Sequence, residues 1–228
     1  MIKYTNKTLL NSVELVPENA PIGSVLWLHG LGADGHDFVP VVPELDLPKT
    51  LPLRFIFPHA PLRPVTINNG YVMRAWFDIY GVSLDMEIDE EGIGQSVALV
   101  NQWIADEIKR GISADKIILA GFSQGAVIAL HAGLRYPERL GGILALSGAL
   151  PAAERLFSER SPANDGLPIF IAHGSEDTVI PMMLGQASAQ LLEKKGYQTT
   201  WRSYQMPHSV CHQEIQDIAK WLCLVFKH

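Results

Sequence analysis

The sequence predicts an α/β fold with a mostly parallel central sheet and helices on both of its faces. Short, largely apolar runs alternate along the chain with longer amphipathic stretches, and most of these runs lack a regular alternation of polar and apolar residues. Such runs are typical of parallel strands, because a sheet covered by helices on both faces has no solvent-exposed side. No internal repeat and no linker rich in Pro, Gly or Ser divides the 228 residues. We therefore expect residues 1–228 to form one domain.

The individual elements can be assigned in chain order. Strands are predicted at 24–28, 53–57, 116–120, 143–146, 168–172 and 199–204. Helices are predicted at 37–45, 89–110, 125–135, 181–195 and 213–226. The long helix is the clearest, because its apolar residues recur every three or four positions and Gly111 suits its C-terminal end. Segments 58–88 and 148–167 fit neither class, and each is equally well a plain loop or a lid beside a site.

The composition excludes several kinds of protein. Hydrophobic residues make up 47% of the chain and charged residues 18%, which is enough apolar material for a folded core. The 18 Lys and Arg against 24 Asp and Glu give a net charge of −6, so the diffuse positive field needed for nucleic-acid binding is absent. No run approaches the ~20 apolar residues of a membrane span, and the first residues do not resemble a signal peptide. We expect a cytoplasmic protein.

The two cysteines are expected to be reduced. Cys211 and Cys223 lie twelve positions apart on a predicted helix, which separates them by about 18 Å at ~1.5 Å per residue. A disulfide tolerates at most about 7 Å between the Cα atoms. Reduced thiols also agree with a cytoplasmic location.

The negative charge is concentrated in one place. Five acids fall within seven positions that contain no Lys or Arg: Asp85, Glu87, Asp89, Glu90 and Glu91. They lead into the helix predicted at 89–110, where acidic side chains complement the helix dipole. We interpret them as a solvated helix start, in preference to a docking patch for a partner.

The segment 121–125 reads Gly-Phe-Ser-Gln-Gly and matches the G-x-S-x-G pattern. A predicted strand leads into it and a predicted helix leaves from it, which is the context of the nucleophile elbow of α/β-hydrolases. The small glycines permit a tight turn that exposes the Ser123 hydroxyl at the helix N-terminus, where the helix dipole favours negative charge. Ser123 is therefore a candidate nucleophile, and on the motif alone a serine that merely caps the helix remains an alternative.

An acid and a base follow in the order that α/β-hydrolases use, which is Ser, then Asp or Glu, then His. Glu176 and Asp177 both come after the strand at 168–172, and the pattern leaves either as the acid. His208 lies between the strand at 199–204 and the last helix, where the base is expected, and imidazole exchanges protons near neutral pH. His212 competes with it but falls at the first turn of the last helix rather than in the loop. We expect other histidines to brace turns or to pack, among them His29, His173 and His131.

The same fold needs two backbone N–H groups that stabilise a developing oxyanion. One is expected from Gln124, the residue after the nucleophile, and the other from Leu31 in the loop that follows the first predicted parallel strand. No H-E-x-x-H motif, paired-cysteine cluster, P-loop or G-x-G-x-x-G turn occurs. We expect no metal and no other cofactor.

Six segments taken together resemble the phospholipase/carboxylesterase family of α/β-hydrolases, which includes acyl-protein thioesterases and small bacterial carboxylesterases. The segments are HGLGADGHDF (29–38), APLRPVTINNG (60–70), RAWFDI (74–79), GFSQG (121–125), HGSEDTVIP (173–181) and MPHSVCHQE (206–214). The resemblance implies an α/β-hydrolase fold without a large cap domain. It also implies that Ser123 is the nucleophile and His208 the base, and it selects Asp177 over Glu176. It supports Leu31 and Gln124 as oxyanion donors and implies that Trp76 forms a wall beside the acyl site.

The sequence departs from the family pattern at two points. Ala126 follows GFSQG where the family usually has a further glycine, which changes no proposed reacting atom. The cysteine that is acylated near the N-terminus of eukaryotic members has no counterpart, which favours a soluble carboxylesterase of bacterial type.

The predicted activity is hydrolysis of carboxylic esters with short to medium acyl chains through an acyl-enzyme. An acyl-protein thioesterase or lysophospholipase is the alternative, and a catalytically silent binding protein on the same fold is a third reading. Apolar residues in or near the predicted site loops could form an acyl pocket or belong to the core: Leu62, Val72, Met73, Trp76, Val179 and Met182. We expect a small-molecule ester or thioester as the substrate, no nucleic-acid partner, no membrane span, and a monomer or homodimer.

Overall fold

The computed structural model describes residues 2–81 and 88–227. The strands in that part of the chain are β1 (Tyr4–Thr8), β2 (Ser12–Pro17), β3 (Gly23–Leu28), β4 (Leu53–Pro58), β5 (Leu62–Val65), β6 (Tyr71–Arg74), β7 (Ile117–Phe122), β8 (Gly142–Leu146), β9 (Pro168–Gly174) and β10 (Gln198–Tyr204). The α-helices are α1 (Val41–Glu44), α2 (Glu90–Lys109), α3 (Gln124–Arg135), α4 (Ala153–Glu159), α5 (Met182–Lys194) and α6 (His212–Val225).

Eight of the described strands form one sheet in the order β1-β2-β4-β3-β7-β8-β9-β10. The strands from β4 to β10 in this order pair in parallel, and β1 and β2 add antiparallel pairing at one edge. Strands β5 and β6 form a separate antiparallel hairpin. The mostly parallel sheet confirms the predicted fold class, and no large cap domain is present among the described residues.

Helices cover both faces of the sheet because the central strands are apolar on both sides. Along β7, Ile117 and Leu119 face one core while Ile118 and Ala120 face the other. Helices α2, α3, α4 and α5 pack on the first face, and α1 and α6 pack on the second. This arrangement explains why β7 lacks the polar alternation of a half-exposed strand.

The structure corrects the predicted elements in several places. The helix expected at 37–45 shrinks to Val41–Glu44, because Pro40 has no N–H to donate and residues 35–40 form turns instead. The irregular segment 58–88 contains the β5–β6 hairpin, and 148–167 contains α4. The antiparallel edge strands β1 and β2 were not predicted at all.

The acidic cluster lies partly outside the described residues, which do not include Asp85 and Glu87. Within the described part, Asp89 is the N-cap of α2, and its carboxylate accepts the Gly92 N–H at 2.9 Å. Glu90 and Glu91 occupy the first turn. For these three acids the prediction of a helix start is confirmed.

Cys211 and Cys223 are free, as predicted. None of the helices in residues 2–81 and 88–227 is long and apolar enough to cross a bilayer. The described His, Cys, Asp and Glu side chains include no group of three or more that could hold a metal ion.

Candidate active site

Ser123 lies in a strained turn between β7 and α3. Its backbone has φ 56° and ψ −117°, which is unusual for a residue with a side chain, and its N–H donates to Leu146 O at 2.8 Å. The turn requires glycine on both sides. A Cβ on Gly121 would lie 2.2 Å from Gly125 O, and a Cβ on Gly125 would lie 2.3 Å from Leu28 O. The two glycines of the motif therefore permit the close approach of this turn to itself and to β3.

Ser123, His208 and Asp177 form a continuous chain of hydrogen bonds. The Ser123 Oγ and the His208 Nε2 are 2.9 Å apart, and the His208 Nδ1 is 2.6 Å from the Asp177 Oδ2. Since a carboxylate only accepts, the Nδ1–H must donate to Asp177, which leaves Nε2 as the acceptor for the Ser123 hydroxyl. The three residues follow the carboxyl ends of β7, β9 and β10 and meet where these parallel strands end.

The carboxylate of Asp177 is buried and held from several directions. Its Oδ1 accepts the N–H groups of Val179 and Ile180 at 2.9 Å and 2.8 Å. The Nε2–H of buried His173 donates to Ile180 O at 2.8 Å and lies 3.2 Å from Asp177 Oδ2. Glu176, the alternative acid, is exposed to solvent. The structure thus joins Asp177, not Glu176, to the histidine.

The competing histidine lies away from this chain. His212 is exposed at the start of α6, where its Nε2 is 2.8 Å from Gln216 Nε2 and its Nδ1 is 3.9 Å from Glu44. His208 instead has the ring of Phe122 beside it, with 4.7 Å between the ring centroids and an interplanar angle of 48°. Phe122 therefore restricts the tilt of the imidazole that faces Ser123.

Both predicted oxyanion-donor residues line the same cavity as Ser123. Leu31 and Gln124 both line it, together with His208. Gln124 is the first residue of α3, so its N–H has no intrahelical acceptor. Within the described part of the chain, no backbone hydrogen bond engages the Leu31 N–H either. Both predicted donor residues therefore line the cavity beside Ser123 and have no backbone acceptor for their N–H groups among the described residues.

His29 holds the loop that contains Leu31. The Ala60 N–H donates to the His29 Nε2 at 3.0 Å, so the proton lies on Nδ1, which donates to Gly30 O at 2.7 Å. Burial lowers the pKa of His29 to about 4. The ring is therefore neutral near pH 7 and braces a turn, as predicted. His131 is likewise buried, and its Nε2 bonds Pro151 O at 2.9 Å.

A cavity of about 620 Å³ opens beside Ser123 and His208. This volume lies in the ~300–1,000 Å³ range of small-molecule sites. Much of its wall is apolar, including Ile67, Phe77, Ile79, Val127, Pro151 and Leu184. An apolar wall next to a nucleophile suits an acyl chain whose carbonyl carbon must reach the hydroxyl.

The predicted pocket residues differ in whether they line this cavity. Of the six apolar candidates, all of which the structure describes, Val179 lines the cavity and is 60% exposed. Trp76 lies behind the wall at 1% exposure, and Met73 is half-buried beside Gly32, where its Sδ accepts the Asn68 Nδ2–H at 3.4 Å. Trp76 thus braces the site from the interior, because its indole N–H is turned toward a backbone carbonyl.

Sequence reasoning missed two supporting residues, Phe122 and the side chain of Gln124. It expected His173 to brace a turn, which the bond to Ile180 O confirms, but it did not predict that His173 lies 3.2 Å from Asp177, although the spacing of four positions was a usable signal. Phe122 sits inside the G-x-S-x-G pattern, which specifies nothing at its position. The Gln124 amide bonds residues 76 and 77, nearly fifty positions away, and no local pattern reports such a contact.

A serine at a strand-to-helix turn of a mostly parallel sheet, with acid and histidine after later strands, is the arrangement found in α/β-hydrolases. The fold and the site place this chain in that class. Within it, the sequence model of the phospholipase/carboxylesterase family matches residues 13–226, and the chain belongs to this family of hydrolases.

Individual relatives agree with this assignment. Acyl-protein thioesterase 1 of Schizosaccharomyces pombe is 40% identical over 183 residues, which cover 80% of this chain and 81% of that protein. The crystal structure of Arabidopsis thaliana SOBER1 has a TM-score of 0.85 at 32% identity and covers 90% of this chain and 99% of its own. Acyl-protein thioesterase 2 of Zea mays has a TM-score of 0.83 at 30% identity and covers 94% and 98%.

Proposed function

We propose that the protein hydrolyses carboxylic esters through an acyl-enzyme on Ser123, with His208 as the general base and Asp177 as the residue that orients it. The observation that carries this proposal is the unbroken hydrogen-bond chain, 2.9 Å from Ser123 Oγ to His208 Nε2 and 2.6 Å from His208 Nδ1 to Asp177 Oδ2. A nucleophile, a base and an orienting acid within hydrogen-bond reach are what acyl transfer by a serine requires.

In the first half-reaction the Ser123 Oγ attacks the carbonyl carbon while its proton passes to His208 Nε2. The carbonyl electron pair moves to oxygen and forms a tetrahedral oxyanion. Asp177 stabilises the resulting imidazolium through Nδ1 and keeps Nε2 facing the serine. Collapse of the intermediate expels the alkoxide leaving group, which takes the proton from Nε2, and water then repeats the sequence to release the acid.

The oxyanion needs donors that are in place before the reaction. We assign this role to the N–H groups of Leu31 and Gln124, two residues that line the cavity beside Ser123. The N-terminus of α3 adds the positive end of a helix dipole at the same point. Removal of one such donor typically lowers the rate by about 10²–10³-fold.

The proposed substrate carries a short to medium acyl chain. The apolar wall and the cavity volume of about 620 Å³ accommodate such a chain. Val179 is the proposed substrate contact on the rim, and Met73 remains a prediction at the edge of the loop that holds Leu31. For Trp76, which is 1% exposed, the proposal is a role in holding the site instead of contacting the substrate.

Hydrolysis of S-acyl thioesters on proteins is the second candidate. Relatives at 40% and 36% identity are named acyl-protein thioesterase 1. The chemistry of Ser123 is the same for both bonds, since a thiolate leaves in place of an alkoxide. The distinction therefore rests on what the cavity and its rim admit.

A Ser123→Ala variant tests the mechanism. We expect kcat for p-nitrophenyl butyrate to fall by roughly 10⁴–10⁶-fold, with the thermal unfolding curve unchanged. Labelling by a fluorophosphonate probe should disappear as well. Ser175→Ala is the matched control, because this exposed serine lies on the neighbouring loop. Labelling that persists in Ser123→Ala would refute the proposal, and an inactive, unlabelled wild type would favour a silent binding protein.

The substrate class is tested by a series of p-nitrophenyl esters from acetyl to palmitoyl beside an S-palmitoyl peptide. We expect the highest kcat/KM for a short or medium ester. Faster turnover of the S-acyl peptide than of every ester would reverse this order and favour the thioesterase.

A further inference from the structure

Residues 74–77, which we name the bracing segment, lie between the two proposed oxyanion donors. One donor, Leu31, belongs to the loop after β3, and the other, Gln124, is the first residue of α3. The bracing segment follows β6 and makes hydrogen bonds to both sides. Its hydrogen bonds connect the loop of Leu31 to the first residue of α3.

Two hydrogen bonds join the bracing segment to the loop of Leu31. The Trp76 indole Nε1–H donates to His29 O at 2.9 Å. The Gly32 N–H donates to Arg74 O at 2.8 Å. These bonds reach the residues on either side of the Gly30–Leu31 peptide, so the direction of the Leu31 N–H depends on where the bracing segment lies.

Two more hydrogen bonds join the bracing segment to Gln124. The Trp76 N–H donates to the Gln124 Oε1 at 2.8 Å, and the Gln124 Nε2–H donates to Phe77 O at 2.7 Å. The side chain thus uses both ends of its amide on backbone groups of two adjacent residues of the bracing segment. Its own backbone N–H, in the first turn of α3, has no intrahelical acceptor, and the residue lines the cavity together with Ser123.

The brace is buried and anchored from behind. Trp76 is 1% exposed and Gln124 is 3% exposed. If a polar group of either residue lost its hydrogen-bond partner, replacing that partner with water would cost free energy. The Ser96 hydroxyl of α2 donates to Trp76 O. The Trp76 carbonyl, N–H and indole are therefore all engaged, and the segment has little freedom to shift.

We propose that Trp76 and the Gln124 side chain are positioning residues that set the spacing between the Leu31 and Gln124 N–H groups. This inference rests on the proposed function of that site. A donor stabilises an oxyanion only when it lies about 2.7–3.1 Å from the oxygen. The two donors come from different strand ends, so a common tie is needed to hold both at that distance. The bracing segment supplies it.

Two variants remove hydrogen bonds of the bracing segment and leave the proposed oxyanion donors, the Leu31 and Gln124 backbone N–H groups, in the chain. Trp76→Phe deletes the indole N–H and keeps an aromatic ring, and Gln124→Met deletes both amide bonds while it keeps the backbone N–H. Trp27→Phe is the matched control. Trp27 is also 1% exposed, and its indole N–H has no hydrogen-bond partner among the described residues.

The readouts separate positioning from general stability. Active sites are counted by titration with a fluorophosphonate, and kcat and KM are measured for p-nitrophenyl butyrate per titrated site. An alkyl trifluoromethyl ketone serves as the oxyanion probe, because Ser123 adds to its carbonyl carbon and the former carbonyl oxygen becomes the oxyanion. A loss of fold would lower the number of titrated sites and leave the kcat of the remaining sites unchanged.

We expect kcat to fall about 10–100-fold in Trp76→Phe and in Gln124→Met, with KM within about 2-fold and with a parallel loss of affinity for the ketone. The fold decrease in kcat of the double variant should be smaller than the product of the two single decreases, since both substitutions disrupt the hydrogen bonds of the same bracing segment. Trp27→Phe should match the wild type.

Values of kcat within about 2-fold of wild type in both variants would overturn the inference, even if the unfolding temperature falls. If Trp76→Phe gives no titratable sites, Gln124→Met decides alone. Neither result touches the proposed function, which is judged by Ser123→Ala. Activity that survives Ser123→Ala would remove the basis of both.

Discussion

Replacement of Asp177 by Asn tests how the acid controls the histidine, because Asn keeps the shape and loses one acceptor. In the wild type, Oδ1 accepts the N–H groups of Val179 and Ile180 at 2.9 Å and 2.8 Å, and Oδ2 accepts the His208 Nδ1–H at 2.6 Å. The amide of Asn has a single oxygen. It must therefore serve either the two backbone donors or the histidine.

The backbone donors decide the orientation. An NH₂ group turned toward the N–H groups of Val179 and Ile180 would leave two donors unsatisfied, at about 1–3 kcal/mol each. The oxygen therefore stays there and the NH₂ faces His208. It donates to Nδ1, so the ring proton moves to Nε2, which can no longer accept the Ser123 proton. We expect kcat/KM to fall about 10⁴-fold, which corresponds to about 5.5 kcal/mol.

The assay measures kcat/KM for p-nitrophenyl butyrate together with thermal unfolding. The control is Glu176→Gln, an exposed carboxylate one residue away that was the alternative acid in the sequence. We expect Glu176→Gln to behave as wild type and Asp177→Asn to stay folded. Retention of a tenth or more of wild-type kcat/KM by folded Asp177→Asn would refute the reasoning.

Further predictions concern stability. Gly125→Ala should lower the free energy of unfolding by about 1–3 kcal/mol or more, since its Cβ would lie 2.3 Å from Leu28 O. Gly94→Ala in α2 has open space around it and should raise the free energy of unfolding by about 0.5–1 kcal/mol. Urea unfolding that shows a change of the same sign for both variants would contradict this. Burial raises the pKa of Glu214 to about 8 from an ordinary value of 4.5, so the folded state retains a proton that the unfolded state releases, and stability present below pH 4.5 is lost as the pH rises toward 8. The unfolding temperature of Glu214→Gln minus that of wild type should therefore be larger at about pH 8.5 than at about pH 5. An equal difference at both pH values would contradict the assignment.

The parts of the fold that the sequence predicts are those with a local apolar signature. Strands β3, β4, β7, β8 and β9 are buried on both faces, so their runs stand out. The edge strand Tyr4–Thr8 is largely exposed and polar, and only its pairing with β2 identifies it as a strand. The hairpin and α4 lie in segments whose conformation depends on contacts with the rest of the chain.

The proximity of the three proposed catalytic residues was predictable for a topological reason. Ser123, Asp177 and His208 each follow a parallel strand, and carboxyl ends of parallel strands meet at one edge of a sheet. Motif and chain order therefore place these side chains together. The preference for Asp177 over Glu176 was not available from spacing alone and came from the family resemblance; in the structure it follows from which carboxylate turns inward onto the backbone of Val179 and Ile180.

The distance between the two oxyanion donors has a different origin. Strands β3 and β7 are hydrogen-bonded neighbours, so topology brings the loops of Leu31 and Gln124 side by side, but it does not determine their separation to within a few tenths of an ångström. That separation depends on residues 74–77, which lie outside the large sheet and contact both loops through side-chain and backbone hydrogen bonds. A change at Trp76 can therefore leave every motif residue and the fold intact and still lower kcat, which is why the activity of a chain with a complete motif need not follow from the motif.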